Sequence, residues 1–318
     1  MSDRALKLLL PDSIELNPSL PDGVEAVTYP ARGPLGDEHR DADAMVAWNN
    51  SRRLLAEAAE LPNLRLVQGL MAGTDHLMAA GFDDDVAICS GVGLHDRTVT
   101  EHAMALILAL VRRLPQSLDA QAESRWAKEL AGAQPLHPAG PITTLLGARV
   151  LIWGFGSIGQ HLAPVLASLG ATVTGAARSA GERVGFPVVD DDGLADELAR
   201  TDLLVMLLPA SDATEKALDA ERLGQLKPDA YVVNVGRGTT VDEEALIEAL
   251  ESGRLGGAAL DVMAKEPLPA ESPLWHAPNV LLTPHNAGGR PVGADELIAA
   301  NVRALREGGP FRNLVPRA

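Results

Sequence analysis

The sequence has little cysteine, few aromatic residues and no long hydrophobic run. A single cysteine, Cys89, excludes an internal disulfide framework. The longest run almost without charge, 103–111, is about half the length that spans a bilayer. The start of the chain, MSDRALKLLLPDS, has too short an apolar core for a signal peptide. These features predict a protein of the reducing cytoplasm without a membrane segment.

Basic residues are also scarce. The sequence has 27 Lys and Arg but 43 Asp and Glu, so its formal net charge is −16. This charge repels nucleic acid and anionic membrane surfaces, so we expect neither as a partner. The histidines show no paired spacing, and Cys89 has no companion, so no metal site is predicted. Small-molecule chemistry is therefore the leading class of function.

Short apolar runs are abundant, and they form two series that alternate with segments suited to helices. The length of 318 residues favours two domains over one. Such alternation predicts parallel sheets with helices on their faces. The first series contains LKLLL, VEAVTY, AMVAW, LRLVQG and VAICSG, and the second contains ARVLIW, ATVTGAA, DLLVMLL, AYVVNV, AALDV and NVLLT.

A glycine-rich loop, GFGSIG, follows the first run of the second series and opens a helical segment. Its three glycines suit a tight turn, a close approach to a pyrophosphate and close packing of helix on strand. The helix start supplies an anion site. The pattern predicts dinucleotide binding, with a purely structural turn as the alternative. The residues concerned are Gly154, Gly156, Ser157, Ile158 and Gly159.

The second strand of this unit ends in TGAARSAG, where a ribose-binding carboxylate is usual. Ala177 occupies the acidic position, so the 2′-hydroxyl loses a partner and a 2′-phosphate meets no repulsion. Arg178 and Ser179 follow and offer a guanidinium and a hydroxyl to phosphate oxygens. We therefore predict NADP(H) as the preferred cofactor and keep NAD(H) as the alternative.

Three later blocks, NVGRGTTVDEEAL, ALDVMAKEPLP and VLLTPHNAGG, each follow an apolar run. They place Arg237, Glu266 and His285 at or just beyond the carboxyl ends of strands, where open α/β sheets bind ligands. Arginine can form two parallel hydrogen bonds to a carboxylate, and a histidine with a carboxylate partner can donate a proton near neutral pH. Together these residues predict reduction of a 2-keto acid.

These blocks, in this order, resemble the D-isomer-specific 2-hydroxyacid dehydrogenase family over nearly the whole chain, and the likeness is to its glyoxylate/hydroxypyruvate reductases. The resemblance implies that Arg237 binds the substrate carboxylate and polarises the keto oxygen. It implies that His285 donates the proton and that Glu266 keeps His285 charged. It also implies an NAD(P)-dependent enzyme that acts on a small 2-keto or 2-hydroxy acid of the D-isomer.

Further site residues follow from the same resemblance. Asp261 is expected to contact the nicotinamide carboxamide, and Pro209 and Val235 are expected to line the cofactor site. In the first domain the segment LMAGTDHL is similar to a substrate loop, in which the backbone N–H groups of Ala72 and Gly73 hold the carboxylate.

The two series of strands and the family resemblance together predict an α/β protein with two doubly wound parallel-sheet domains. A Rossmann cofactor domain is expected to be inserted into a flavodoxin-like substrate domain. The substrate domain comprises residues 1–98 plus 290–318, and the dinucleotide-binding domain comprises 99–289. The segment GADELIAANVRALREG is expected to return as a helix, because its apolar residues recur at helical spacing. The run 98–114 is expected to be a buried helix capped by Thr98 or Thr100.

Several alternatives remain open at this point. A formate dehydrogenase shares the arginine and histidine blocks but typically has glutamine where Glu266 stands. An NAD-linked 2-hydroxyacid or phosphoglycerate dehydrogenase is possible, although no spare basic cluster suits a substrate phosphate. A dinucleotide-sensing corepressor is a third reading. His102 resembles a recurrent family position but is interpreted as a helix-start or packing residue. The family together with run 103–111 predicts a homodimer.

Overall fold

The computed structural model describes residues 4–133, 135 and 139–316, and they contain parallel sheets flanked by helices. The strands are β1 Leu6–Pro11, β2 Val24–Tyr29, β3 Ala44–Ala47, β4 Leu66–Gly69, β5 Ala87–Cys89, β6 Arg149–Trp153, β7 Thr172–Ala176, β8 Gly181–Arg183, β9 Phe186–Val189, β10 Leu203–Met206, β11 Tyr231–Asn234, β12 Gly257–Leu260 and β13 Val280–Leu282. The helices are α1 Arg52–Ala59, α2 Asp75–Met78, α3 Asp96–Val111, α4 Leu114–Ala122, α5 Ser157–Ser168, α6 Asp191–Leu198, α7 Ala220–Gln225, α8 Glu243–Glu251 and α9 Ala294–Glu307.

The chain divides into two compact units, and each is built around its own sheet. Unit 1 contains the residues up to His95 together with those from Arg290 onward, and unit 2 is Asp96–Gly289. The prediction of two parallel-sheet α/β domains is confirmed. The first segment of unit 1 ends at His95, three residues before the predicted boundary at position 98. Unit 2 ends at Gly289, which is the predicted position.

Unit 1 is a five-stranded parallel sheet in the order β2-β1-β3-β4-β5, which is the flavodoxin order. Each strand corresponds to one apolar run of the first series. Strands β3 and β4 are buried along their whole length, because helices cover both faces of such a sheet. The helical prediction for the C-terminal segment is also confirmed, since Leu297, Ile298 and Val302 of α9 are buried in a core of unit 1.

The end of the chain extends the sheet of unit 1 at β5. The backbone N–H of Val315 donates to the carbonyl oxygen of Ile88 at 2.8 Å. Cys89 lies buried at this edge, and burial raises the pKa of its thiol to about 12. The thiol therefore remains protonated at neutral pH and is a packing group rather than a nucleophile.

Unit 2 contains an eight-stranded sheet in the order β13-β12-β11-β10-β6-β7-β9-β8, parallel except at β8. All six predicted strands are present, and six of its strands follow the Rossmann order. The hairpin of β8 and β9 was not predicted. Its first strand has the sequence Gly-Glu-Arg, so neither an apolar run nor an alternating pattern marks it.

Helix α3 differs from its prediction at both ends and in its role. It begins at Asp96, two residues before the proposed Thr98 cap, and Thr98 Oγ1 donates to the carbonyl oxygen of Gly288 at 2.6 Å. Most of run 103–111 is buried in the core of unit 2, together with residues of α5. These side chains are not available to another copy, so the interpretation of this run as a dimer contact is wrong.

Candidate active site

The glycine-rich loop connects β6 to α5. The space available for a Cβ atom explains where its glycines stand. Gly154 has a φ of +102°, and a Cβ there would lie 2.6 Å from the backbone of Leu207. A Cβ on Gly159 would lie 3.2 Å from the carbonyl oxygen of Gly154, so α5 packs closely on the loop. A Cβ on Gly156 would meet no atom within 4 Å. The loop therefore turns tightly, packs closely and leaves open space where a ligand can approach.

The start of α5 provides donors for an anion. Its first N–H groups, at Ser157 and Ile158, precede the first intrahelical bond, which runs from Gln160 N to the carbonyl oxygen of Gly156 at 2.9 Å. A helix of twelve residues adds a favourable dipole. The hydroxyl of Ser157 donates to the carboxylate of Asp96. The backbone and the open space at the loop thus fit a pyrophosphate, whereas the Ser157 side chain is already engaged.

The loop after β7 carries the predicted phosphate contacts. Ala177 donates its N–H to the carbonyl oxygen of Val189 at 2.9 Å, which fixes the end of β7 beside β9. Arg178 and Ser179 follow on the exposed surface. Ser179 Oγ accepts from Nη2 of Arg183 at 2.9 Å. Arg183 is a residue that sequence reasoning missed, because it lies on the unpredicted strand β8.

The loops after β10 and β11 hold two further predicted cofactor contacts. Pro209 follows β10, and its carbonyl oxygen accepts from Thr214 Oγ1 at 2.6 Å. Val235 follows β11, is buried and donates its N–H to the carbonyl oxygen of Met206 at 3.2 Å. Both therefore lie at the carboxyl ends of strands, as the glycine-rich loop does.

Arg237 follows β11 in a turn that explains the Asn-x-Gly-Arg-Gly pattern. The side chain of Asn234 accepts from Gly236 N at 3.0 Å and donates to the Arg237 carbonyl oxygen at 3.1 Å. A Cβ on Gly238 would lie 1.9 Å from the carbonyl carbon of Met263, so only glycine fits there. Nη1 of Arg237 donates to the carbonyl oxygen of Gly236 at 2.8 Å. The turn therefore fixes the backbone on both sides of the guanidinium-bearing residue.

Glu266 and His285 form a hydrogen-bonded pair. Nδ1 of His285 lies 2.7 Å from Oε2 of Glu266, and Oε1 of Glu266 accepts from Met263 N at 3.0 Å. The side chain of His285 is 38% exposed and that of Glu266 is 34% exposed, so both are accessible. The carboxylate orients the ring through Nδ1, which leaves Nε2 as the nitrogen that can serve a substrate.

Asp261 organises the turn that carries His285. Its side chain is completely buried, and its Oδ1 accepts from Thr283 Oγ1 at 2.6 Å and from Asn286 N at 3.0 Å. Oδ2 accepts from Ala287 N at 3.0 Å. His285 itself has a φ of +52°, a strained conformation for a residue with a side chain. We infer that these bonds hold His285 in place, whereas contact of Asp261 with a nicotinamide carboxamide stays a prediction.

His102 joins this network from helix α3. Its Nε2 lies 3.0 Å from Thr283 Oγ1 and 3.2 Å from Asp261 Oδ1. Because the threonine hydroxyl donates its hydrogen to Asp261, it can only accept from His102, whose Nε2 must carry a hydrogen. His102 therefore has hydrogen-bond partners that its interpretation as a helix-start or packing residue did not include, and no local sequence pattern marks a contact across 181 positions.

We expect Asp261→Asn to lower the thermal stability of the protein. The amide would place an NH₂ group against Thr283, Asn286 or Ala287, so at least one buried donor would lose its acceptor, at a cost of about 1 to 3 kcal/mol. The melting temperature should fall by roughly 3 to 10 °C in calorimetry. Glu248→Gln, on the exposed surface of α8, is the matched control and should leave it unchanged. Equal melting temperatures for the two variants would contradict the network.

The predicted substrate loop belongs to unit 1, where it follows β4. The carbonyl oxygen of Leu70 accepts from His95 Nε2 at 2.8 Å, and a Cβ on Gly91 would lie 2.2 Å from the same oxygen. Ala72 and Gly73 come next and are half-buried. Neighbouring side chains and a required glycine therefore fix the loop on its N-terminal side.

Residues 104–287 match the D-isomer specific 2-hydroxyacid dehydrogenase, NAD binding domain. The chain belongs to the D-isomer-specific 2-hydroxyacid dehydrogenase family. Its NAD(P)-binding unit is therefore unit 2, and the protein is an oxidoreductase of this family. This identification agrees with the resemblance that the sequence blocks predicted.

Relatives of this dehydrogenase extend the similarity to both units. It is 32% identical over 292 residues to a glyoxylate/hydroxypyruvate reductase A of Klebsiella pneumoniae, covering 88% of each chain. A D-isomer specific 2-hydroxyacid dehydrogenase from Xanthobacter autotrophicus, solved with NADPH and MES, has 30% identity, a TM-score of 0.82 and 98% coverage of both chains. An NADPH-dependent glyoxylate/hydroxypyruvate reductase from Sinorhizobium meliloti, solved with NADP and sulfate, has 28% identity, a TM-score of 0.81 and 98% coverage of both chains.

Within residues 4–133, 135 and 139–316, no three His, Cys, Asp or Glu side chains are grouped so that they could hold a metal ion. Over the same ranges, every helix is too short or too polar to cross a membrane.

Proposed function

We propose that this dehydrogenase transfers a hydride between NADP(H) and a small 2-keto or 2-hydroxy acid of the D-isomer, such as glyoxylate or hydroxypyruvate. The observation that carries the proposal is the Glu266–His285 pair, with its 2.7 Å hydrogen bond and accessible imidazole. Formate oxidation requires no proton transfer, so such a pair favours a keto acid. Relatives named as glyoxylate/hydroxypyruvate reductases support the substrate class.

NADPH held by the glycine-rich loop and the start of α5 would supply the hydride for the keto carbon. Arg237 binds the substrate carboxylate and polarises the keto oxygen through its guanidinium. His285 donates the proton to that oxygen as negative charge develops there. Glu266 holds the protonated ring through Nδ1. The keto carbon gains the hydride and its oxygen gains the proton, so a 2-hydroxy acid leaves.

The two units divide the remaining roles. We propose that unit 1, with the N–H groups of Ala72 and Gly73, is the substrate domain and holds the carboxylate. Unit 2 is the cofactor domain, where the glycine-rich loop and the start of α5 bind the pyrophosphate. Pro209 and Val235 line the cofactor, and Asp261 orients the turn of His285. We expect no nucleic acid, membrane or metal as a partner.

The preference for NADP(H) rests on the end of β7. Ala177 brings no carboxylate to repel a 2′-phosphate, and Arg178 and Ser179 are exposed next to it. The relatives from Xanthobacter autotrophicus and Sinorhizobium meliloti were solved with NADPH or NADP, which supports the same choice. Use of NAD(H) is the alternative.

We also propose that the enzyme is a homodimer of the cytoplasm. Helix α4 and the segment after it expose large apolar side chains, Leu114, Leu118 and Trp126, of which Trp126 is 82% exposed. Apolar surface of this kind is typical of protein interfaces. The unpaired, buried thiol of Cys89 suits a reducing compartment.

Initial rates with glyoxylate, hydroxypyruvate, pyruvate, phosphohydroxypyruvate and bulkier 2-keto acids, each with NADPH and NADH at matched ionic strength, test the proposal. One or two charge-assisted hydrogen bonds to the phosphate predict a kcat/KM about tenfold to a thousandfold higher with NADPH. Ala177→Asp combined with Arg178→Ala should reverse the preference, because it restores the ribose acceptor and removes a guanidinium.

Equal values for the two cofactors, or a lead for NADH, would overturn the NADP(H) assignment alone. Reduction of none of the 2-keto acids, with intact NADPH binding, would overturn the reaction and favour a dinucleotide-sensing protein. A clear lead for phosphohydroxypyruvate over the small acids would favour the phosphoglycerate alternative.

A further inference from the structure

Arg183 ties together two loops of unit 2. It ends strand β8, and its Nη1 donates to the carbonyl oxygen of Phe155 at 3.0 Å, inside the glycine-rich loop. Its Nη2 donates to Ser179 at two atoms, the carbonyl oxygen at 3.2 Å and Oγ at 2.9 Å. One planar guanidinium therefore sets the spacing between the loop after β6 and the loop after β7.

The contact with Arg183 determines which hydrogen bonds remain open to the Ser179 hydroxyl. A serine hydroxyl has one hydrogen to donate and two lone pairs that accept. Since Arg183 donates to this oxygen, the hydroxyl hydrogen is left for an acceptor on another side. A cationic donor also polarises the hydroxyl and makes it a stronger donor. Ser179 is thus prepared for a partner that only accepts, as the oxygens of an ionised phosphate do.

The surrounding charges agree with an anionic partner. Arg178 precedes Ser179 and contributes a second, exposed guanidinium. Glu182 is the adjacent carboxylate, but it neighbours Arg183 along an extended strand, where successive side chains point to opposite faces. The carboxylate is therefore directed away from the face that Arg183 shares with Ser179.

We propose that Arg183 is a positioning residue for 2′-phosphate recognition: it fixes Ser179 against the glycine-rich loop so that the serine hydroxyl donates to the phosphate. The inference rests on the proposed NADP(H) preference and adds to it the residue that makes the Ser179 contact effective. It also gives a function to the hairpin of β8 and β9, which lies at the edge of the sheet and carries Arg183.

Binding of 2′,5′-ADP and of 5′-AMP, which differ only in the 2′-phosphate, to the intact 318-residue protein, measured by isothermal titration calorimetry at matched ionic strength, tests the inference without turnover. The quantity of interest is the ratio of the two Kd values. Arg183→Gln and Ser179→Ala should each reduce the preference for 2′,5′-ADP about tenfold, while 5′-AMP binds as before. The double variant should lose little more than either single variant, because both remove the same contact.

Two controls separate positioning from charge. Arg183→Lys keeps the charge but lacks the fork that reaches Phe155 and Ser179 together, so it should resemble Arg183→Gln. Arg200→Gln removes an exposed guanidinium that bonds within its own segment, to Asp196 and Glu197, and should leave the ratio unchanged.

The outcomes distinguish this inference from the function on which it rests. A wild-type protein that binds both nucleotides equally would overturn the NADP(H) preference and the inference together. A wild-type preference that survives Arg183→Gln, or that Arg183→Lys fully retains, would overturn only the role of Arg183. Equal losses of 5′-AMP and 2′,5′-ADP affinity would also overturn it, since they would indicate a general structural contribution.

Discussion

His285→Ala should lower kcat/KM for reduction of a 2-keto acid by about two to four orders of magnitude, chiefly through kcat. Without the imidazole, the oxygen that becomes a hydroxyl has to take its proton from water. Folding should survive, because the side chain is 38% exposed and its hydrogen bond joins it to a partner that is also partly exposed. Binding of NADPH, followed by the quenching of protein fluorescence, should change little.

His276→Ala provides the matched control for this experiment. His276 is exposed and lies outside the Glu266–His285 pair, so its loss should leave kcat unchanged. A decrease of less than tenfold for His285→Ala, at unchanged melting temperature, would remove His285 from the proton transfer. The reaction class would then need another proton donor.

Arg237→Ala should lower kcat/KM by a similar two to four orders of magnitude, about 3 to 5 kcal/mol of transition-state stabilisation. The guanidinium is proposed to bind the carboxylate and to polarise the keto oxygen, so KM should rise and kcat should fall together. The turn itself should persist, since it is held by the backbone of Arg237, which accepts from Asn234 and Thr240, and by Gly238.

Arg237→Lys sharpens this test. Lysine keeps the positive charge but cannot form two parallel bonds to a carboxylate, so it should recover only part of the lost kcat/KM. A substrate KM that stays at the wild-type value in Arg237→Ala would contradict the carboxylate-binding role. Calorimetric Kd values for NADPH separate a substrate effect from a cofactor effect.

The sequence predicted the parts of the fold that depend on continuous apolar runs. Buried parallel strands require such runs, and every run of both series forms a strand. The site blocks were recognisable because backbone geometry restricts them. Gly238 packs against Met263 without room for a Cβ, and Gly154 needs a positive φ, so these glycines stand at fixed places in the sequence.

Other features depend on contacts that no local pattern records. Strand β8 has no apolar residue, so neither the hairpin nor Arg183 was predictable. The hydrogen bonds of His102 and Asp261 join residues that are far apart in sequence and meet only in the folded sheet. The apolar run 103–111 identified a buried helix, but sequence alone does not distinguish a side chain buried in its own core from one buried against another subunit.

The hydrogen bond between Thr98 and Gly288 joins the first and last turns of unit 2, which lie 190 positions apart in the chain. Gly289 follows at once, and a Cβ there would lie 3.7 Å from Thr98. The polypeptide thus enters and leaves the inserted unit at adjoining points. Chain ends that adjoin in this way are what allow one domain to be inserted within another that is built from two separate segments, here the residues up to His95 and those from Arg290 onward.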